Sequence, residues 1–131
     1  MRTGTLLLLV AALVAASVAG SARAAGPIKV TISAPAKPKV NVPWKYTVTV
    51  KNAKGKLVAA KLSMVVIDPI GTAHPVEFFK KKTFVTNVAI KGVFRDKIIW
   101  PPASVGYPLK LRATVKAGGV TARKILTLTV K

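Results

Sequence analysis

The chain of 131 residues contains no cysteine, one histidine and three acidic residues. The absence of cysteine excludes disulfides, and with them the class of small exported proteins that cross-links hold together. Three carboxylates provide neither the several oxygens of a calcium loop nor an evident facing pair for glycosidase chemistry. Asp68 is better explained as a turn former before Pro69, and Glu77 or Asp96 as ion-pair partners among the many lysines.

The sequence also lacks a context for a serine nucleophile. The only histidine that could act as its base is His74, and the candidate serines are Ser33, Ser63 and Ser104. None of them lies in a Gly-x-Ser-x-Gly elbow, and Ser33 and Ser63 fall within predicted strands. We therefore expect no enzymatic activity.

Metal ligands are equally scarce. His74 and Met64 are the weak candidates, because the remaining methionine is Met1 and there is no cysteine. Soft and borderline metal ions need three or four protein ligands, which one histidine and one methionine do not supply. An exposed loop histidine and a core methionine are the favoured interpretation, so we expect no metal and no cofactor.

Residues 1–24 have the features of a secretory signal peptide. Arg2 provides a positive start, residues 6–20 form a nearly unbroken apolar run, and Ala22 and Ala24 are the small residues that a signal peptidase reads. The run is shorter than the roughly 20 residues of a membrane-spanning helix, which favours cleavage after Ala24 over a retained anchor. No cysteine follows it, which excludes a lipoprotein anchor.

The expected mature chain, residues 25–131, has the size of one domain. We expect it to be secreted or held in the cell envelope, without a membrane span. The same length is sufficient for a hydrophobic core that needs no cross-links.

Alternating apolar and polar residues predict short β-strands, and no segment shows a sustained helical period. The clearest strand is Trp44–Lys51, whose apolar residues all fall on one face. Gly55 can close a short loop at residues 52–56, which predicts a central hairpin with a second strand over Leu57–Ile67. Further strands are predicted at residues 28–33, 76–79, 83–89, 94–100, 109–116 and 126–131.

About seven strands with turn signals between them predict an all-β sandwich or barrel. The order of features resembles that of small exported bacterial immunoglobulin-like single-domain proteins. The likeness rests on the proline-led entry to Trp44, the turn at residues 52–55, Gly106 and Tyr107 before the penultimate strand, and a final hairpin. It implies an immunoglobulin-like β-sandwich of about seven antiparallel strands, with Tyr107 as the candidate for a corner-tying tyrosine. An OB-type barrel, the oligonucleotide-binding fold of five strands, is the alternative.

A weaker resemblance connects the chain to periplasmic copper-handling immunoglobulin-like proteins. Those proteins carry clustered histidine and methionine near the mature N-terminus, whereas this chain has only His74 and Met64 after its signal peptide. The likeness implies a metal-handling module centred on His74 as one alternative function.

The strongest signal is charge, with 22 lysines and arginines in the chain. Removing Arg2 and Arg23 leaves 20 basic residues against 3 acidic ones, a net charge of +17. Lysines occupy the polar faces of the predicted strands and crowd several loops, so the charge is expected to wrap the sandwich without forming one groove. The candidate anion-binding residues are Lys37, Lys39, Lys54, Lys56, Lys80, Lys81 and Lys82.

The sequence thus predicts an exported, non-catalytic module that binds an anionic cell-envelope polymer or an extracellular protein through a lysine-rich surface. A non-specific nucleic-acid binder is a further alternative, although readers of nucleic acid interleave exposed aromatic residues or arginine with their charge. Trp44, Tyr46 and Trp100 are predicted to be core residues. The alternative without a binding function is that the lysines keep the protein soluble and protect strand edges from pairing with other chains.

Overall fold

The computed structural model describes residues 27–131, which form two antiparallel β-sheets. The strands are β1 (Ile28–Ser33), β2 (Trp44–Asn52), β3 (Ala60–Ile67), β4 (Ala73–Pro75), β5 (Val88–Ile90), β6 (Val93–Ile98), β7 (Pro108–Ala117) and β8 (Val120–Thr129). A short 3₁₀ turn, Pro102–Ser104, lies between β6 and β7. The expected signal peptide, residues 1–24, and its cleavage site lie outside the described residues, as do residues 25 and 26 of the expected domain.

The strand order is that of an immunoglobulin-like sandwich. One sheet has the order β1-β2-β6, and the other has β8, β7 and β3 side by side. β4 and β5 pair with successive parts of the other edge of β3, so together they act as one interrupted strand. Counted in this way, the first, second and fifth of seven strands share a sheet, as strands A, B and E do in immunoglobulin-like domains. Both sheets are open, which confirms the sandwich and not the barrel alternative.

The core lies between the two sheets and follows the predicted alternation. Trp44, Tyr46, Val48 and Val50 of β2 are almost completely buried, whereas the intervening lysines of this strand are exposed. The opposite sheet contributes alternate residues of β3 and β7 to the same core, namely Leu62, Met64, Leu109, Leu111, Ala113 and Val115. Trp100, which follows β6, is also buried, so the prediction that Trp44, Tyr46 and Trp100 are core residues is confirmed.

The predicted central hairpin is wrong, although its turn forms. The Asn52 backbone N–H donates to the Lys56 carbonyl oxygen at 2.9 Å, and Gly55 has the positive φ that the turn requires. After one bridge between Lys51 and Leu57 the chain crosses to the other sheet, where β3 begins at Ala60. A hairpin and a crossover have the same alternation and the same turn residues. The local sequence therefore does not show whether β3 pairs with β2 or joins the opposite sheet.

Between β4 and β5 the chain makes a small hairpin, residues 76–85, which we call the lysine hairpin because Lys80–Lys82 lie at its tip. Backbone N–H groups of Val85 and Phe78 donate across it to Val76 and Thr83 at 2.7 and 2.9 Å. Val76 and Val85 are buried against the core, and both make backbone hydrogen bonds to Met64 of β3. The strand predicted for residues 76–79 is therefore the first arm of the lysine hairpin. The strand predicted for residues 83–89 covers its second arm and the beginning of β5.

The sandwich has two distinct ends. Six of the nine prolines lie in the connections at one end, residues 34–43, 68–72 and 99–107, which we call the proline end. Backbone hydrogen bonds tie these connections together: Asn41 N–H donates to Trp100 O at 3.0 Å, and Gly106 N–H donates to Val130 O at 2.9 Å. The opposite end, which we call the turn end, contains residues 52–59, 91–92 and 118–119.

Two features implied by the resemblance have different outcomes. The final hairpin forms between β7 and β8, with Gly118 and Gly119 at its turn. Tyr107 does not tie a corner: its side chain is 56% exposed, and its hydroxyl makes no hydrogen bond within residues 27–131. Pro108 follows it directly and begins β7, so the chain turns here through backbone contacts instead.

Candidate functional site

The candidate lysines of the loops lie in three separate places. Lys37 and Lys39 are at the proline end, Lys54 and Lys56 are at the turn end, and Lys80–Lys82 occupy the tip of the lysine hairpin. All are exposed. The nine residues of β2 separate the two ends, and at about 3.4 Å per residue they span about 27 Å. These seven lysines therefore do not form one site.

A denser basic surface lies on the outside of the three-stranded sheet. Lys29 stands directly opposite Lys51 across the β1–β2 pair, and Lys45 stands opposite Lys97 across the β2–β6 pair. The outward side chains of this sheet include five basic and no acidic residues; we call the basic ones, Lys29, Lys45, Lys51, Arg95 and Lys97, the basic face.

The sequence does not reveal this juxtaposition. Lysines are expected on polar faces, but Lys97 and Arg95 are not among the candidate residues. Their position beside β2 depends on the pairing of β2 with β6, two strands that are separated by about 40 residues of chain. The only available signal was the alternation of basic and apolar residues within each strand, which says nothing about neighbours in the sheet.

The outside of the five-stranded sheet is also free of acidic residues but is less uniform. Lys61 stands opposite Lys116 across the β3–β7 pair. Near the middle of the same surface, Arg112 has Val65 and Ile125 as its cross-strand neighbours, and its Nε is buried without a hydrogen-bond partner. Apolar side chains thus interrupt the charge on this sheet. Basic residues nevertheless lie on the outside of both sheets, as predicted.

The pairs of opposed lysines cost the fold stability. Like charges directly opposite each other in an antiparallel pair are destabilising, by about 0.2–1 kcal/mol for a pair of this kind. Solvent and salt screen exposed charges, so the lower half of this range applies. An anion bound between two such ammonium groups would remove the repulsion.

The acidic residues do not neutralise the basic face. Asp68 is a turn former as predicted, since its Oδ1 accepts hydrogen bonds from the backbone N–H groups of Ile70 and Thr72 at 3.0 and 2.9 Å. The predicted ion pairing of Glu77 or Asp96 with lysine is wrong within the described part of the chain, where the side-chain contact found is the hydrogen bond between His74 Nε2 and Asp68 Oδ2. Asp96 Oδ2 instead accepts the backbone N–H of Phe79 at 3.0 Å.

His74 and Met64 lie in different environments. Met64 is fully buried in the core, whereas His74 lies on β4 with 58% of its side chain exposed and its Nε2 2.9 Å from Asp68 Oδ2. This hydrogen bond is the main reason that the pKa of Asp68 is lowered, with a further contribution from the backbone N–H of Thr72. Among residues 27–131, no three or more histidine, cysteine or acidic side chains are grouped so that they could hold a metal ion.

A cleft of about 910 Å³ opens between the lysine hairpin and the connection from β6 to β7. Its lining is mainly apolar and aromatic and includes Phe78, Phe79, Trp100 and Tyr107, with Lys80–Lys82 beside them. The lysine hairpin is held against β6 by an edge-to-face contact of Phe78 with Phe94, whose ring centroids are 5.9 Å apart. Lys97 Nζ lies 5.2 Å from the centre of the Phe79 ring, which links the cleft to the basic face.

Deeper in the core, the Tyr46 hydroxyl is buried without a hydrogen-bond partner. Burial, followed by the nearby charge of Asp96, raises its pKa, so Tyr46 stays neutral and offers no acid–base chemistry near neutral pH. The described residues thus present charged surfaces and an apolar cleft as candidate binding features.

No family model, no curated protein and no solved structure matches the chain. Within residues 27–131 no helix is long and apolar enough to span a membrane.

Proposed function

We propose that this protein is an exported, non-catalytic immunoglobulin-like module that binds an anionic polymer of the cell envelope through the basic face. The observation that carries the proposal is the pair of opposed lysines at each end of this face, Lys29 with Lys51 and Lys45 with Lys97. A fold that holds like charges together at a cost in stability gains when an anion binds between them.

The spacing of the pairs suits a chain of repeated negative charges. Lys45 and Lys51 are six residues apart on β2, so the two pairs lie about 20 Å apart along the sheet. Thr47 and Thr49 lie between them on the same outward side, and Arg95 stands opposite Thr47. A flexible polyanion can contact both pairs and the arginine while it lies flat along the strands.

The same face is poorly suited to nucleic acid. Single-stranded nucleic acids are held by stacking of bases on exposed aromatic rings. The outward side chains of β1, β2 and β6 include no aromatic residue, and Trp44 and Tyr46 of β2 point into the core. The Phe79 ring at the edge of the basic face is half-buried and lies against Lys97, so it offers no open stacking platform. An acidic polymer without bases, such as a poly(glycerol phosphate) of the cell wall, therefore fits better, and the signal-peptide features of residues 1–24 agree with such a location.

The test compares two quadruple variants of equal net charge in their binding to poly(glycerol phosphate). One variant replaces Lys29, Lys45, Lys51 and Lys97 with glutamine, and its matched control replaces Lys37, Lys39, Lys54 and Lys56 with glutamine. We expect the first variant to lose most of its affinity and the control to retain most of it. With about five phosphate contacts, the wild-type binding constant should fall with salt with a logarithmic slope of about −3.5 to −4.5.

Equal losses in the two variants would refute the proposal, because they would show that total charge alone attracts the polymer. Weak binding of the wild type that salt does not change would refute it as well and would leave the lysines as solubilising residues. Circular dichroism of each variant shows whether the fold is retained.

A further inference from the structure

The proline end exposes an unusual set of large apolar side chains. Within residues 27–131, eight large hydrophobic residues are exposed, and five of them lie at this end: Val42, Ile70, Ile99, Val105 and Tyr107. Ile70 is the most exposed of all, at 87%. The other three are scattered, with Leu57 at the turn end, Phe84 on the lysine hairpin and Ile125 on the outside of β8.

These side chains come from three separate connections that the fold holds in place. The turn that carries Ile70 is closed by the carboxylate of Asp68, which accepts hydrogen bonds from both Ile70 and Thr72. The connection that carries Ile99 and Tyr107 is tied to its neighbours by the hydrogen bonds of Trp100 and Gly106 described above. The exposed apolar side chains are therefore carried by connections that hydrogen bonds hold in place, and they are not part of the core.

Lysines surround these exposed apolar side chains. Lys37, Lys39 and Lys131 lie at the proline end itself, and Lys80–Lys82 lie beside the cleft that opens next to it. Two acidic residues line this cleft: Asp68, whose carboxylate is engaged by His74 and two backbone N–H groups, and Glu77, which is exposed but outnumbered by Lys80–Lys82. An apolar centre with a cationic rim is complementary to the surface of an anionic bilayer, where acyl chains lie just below negative headgroups.

A second copy of this chain is a poorer partner for the same surface. The described residues carry a net charge of +17, so two copies repel each other, most strongly where both lysine rims would meet. A bilayer containing anionic phospholipid provides both the apolar layer and the opposite charge.

We infer that the proline end docks onto the surface of an anionic phospholipid bilayer, with Ile70 inserted into the interface and the surrounding lysines on the headgroups. This goes beyond the proposed function and uses a different part of the domain. With the strands standing on the membrane, the basic face points sideways and stays free for an anionic polymer. The cleft beside the lysine hairpin then opens toward the lipid.

The first test uses the absence of cysteine to place one reporter dye at a time. An environment-sensitive dye is attached to Ile70→Cys at the proline end or, as the matched control, to Lys54→Cys at the turn end. Both proteins are mixed with vesicles of phosphatidylcholine containing phosphatidylglycerol, and with vesicles of phosphatidylcholine alone. We expect a blue shift for the dye at position 70 with the anionic vesicles and none at position 54.

Two results would overturn the inference: equal shifts at both positions, which would show adsorption without orientation, or no shift at either position. A second measurement uses Ile70→Ser with Tyr107→Ser, and Ile125→Ser as a control that also removes an exposed apolar side chain. Co-sedimentation of the double variant with the anionic vesicles should be about tenfold weaker or more, and that of the control unchanged. Unchanged sedimentation of the double variant would also overturn the inference.

The two proposals fail separately. Binding of poly(glycerol phosphate) should be the same for Ile70→Ser with Tyr107→Ser as for the wild type, since the basic face is intact. Absence of vesicle insertion with retained polymer binding would contradict only the docking of the proline end. Absence of polymer binding with retained vesicle insertion would contradict only the role of the basic face.

Discussion

Reversing one charge on the basic face should make the fold more stable. In Lys51→Glu the residue opposite Lys29 becomes acidic, so a repulsive cross-strand pair becomes an attractive one. Both positions are exposed, and a cross-strand charge pair of this kind contributes about 0.5 kcal/mol in either direction after screening. The free energy of unfolding should therefore rise by about 1 kcal/mol, which corresponds to an increase in Tm of about 4–8 °C.

Urea unfolding at low salt measures the change, and Lys56→Glu is the matched control. Lys56 lies in the turn after β2, where its backbone N–H donates to Asn52 Oδ1, and the substitution alters the net charge by the same amount. The Lys29→Glu variant should gain stability as Lys51→Glu does, and the double variant should lose most of the gain because two like charges again face each other. High salt should reduce all of these differences.

Two results would contradict this prediction: a Lys51→Glu variant no more stable than Lys56→Glu, or additive effects of Lys29→Glu and Lys51→Glu on the free energy of unfolding. Either result would mean that residues 29 and 51 do not face each other, and the register of β1 with β2 would be wrong. If Lys51→Glu is more stable but binds poly(glycerol phosphate) more weakly, the repulsion between Lys29 and Lys51 lowers the stability of the natural chain while serving polymer binding.

Two further predictions concern the fold. Gly92→Ala should destabilise the protein by more than 1 kcal/mol in urea unfolding, because Gly92 has a φ of 89° and an added Cβ would lie 2.6 Å from Leu57 Cβ. Leu57→Ala should not rescue it, since Leu57 Cβ remains. The hydrogen bond from His74 lowers the pKa of Asp68 below its ordinary value, so the stability that its charge contributes is present above the unfolded pKa and is lost as pH falls through the folded pKa. In acid titrations followed by Tm, Asp68→Asn should flatten the decline below about pH 4.

Each of these has a clear contrary result. An unchanged urea midpoint for Gly92→Ala would show that the crossing from β2 to β3 does not pass as close to Gly92 as the structure places it. A decline in Tm that is equally steep in wild type and Asp68→Asn would show that the hydrogen bond with His74 does not bias the protonation of Asp68.

The sandwich could be predicted because its information is local. The burial of Trp44, Tyr46, Val48 and Val50 follows directly from the period of two along one strand, and the turns at Gly55 and Gly118–Gly119 follow from local backbone demands. The central hairpin was mistaken because a turn after β2 leaves open which sheet the next strand joins. That choice is made by the apolar faces of β2 and β3, which pack against each other across the core and so cannot lie side by side.

The candidate site divides in the same way. The sequence by itself determined the sign and the abundance of the charge, the exposure of the loop lysines and the shortage of metal-binding and catalytic side chains. It could not place Lys97 beside Lys45, nor bring Ile70 to the same end as Ile99 and Tyr107, because the residues brought together come from separate parts of the chain. Only the pairing of strands and the tying together of the proline-rich connections decided these positions, since residues distant in sequence are brought to one place by long-range backbone hydrogen bonds and shared burial.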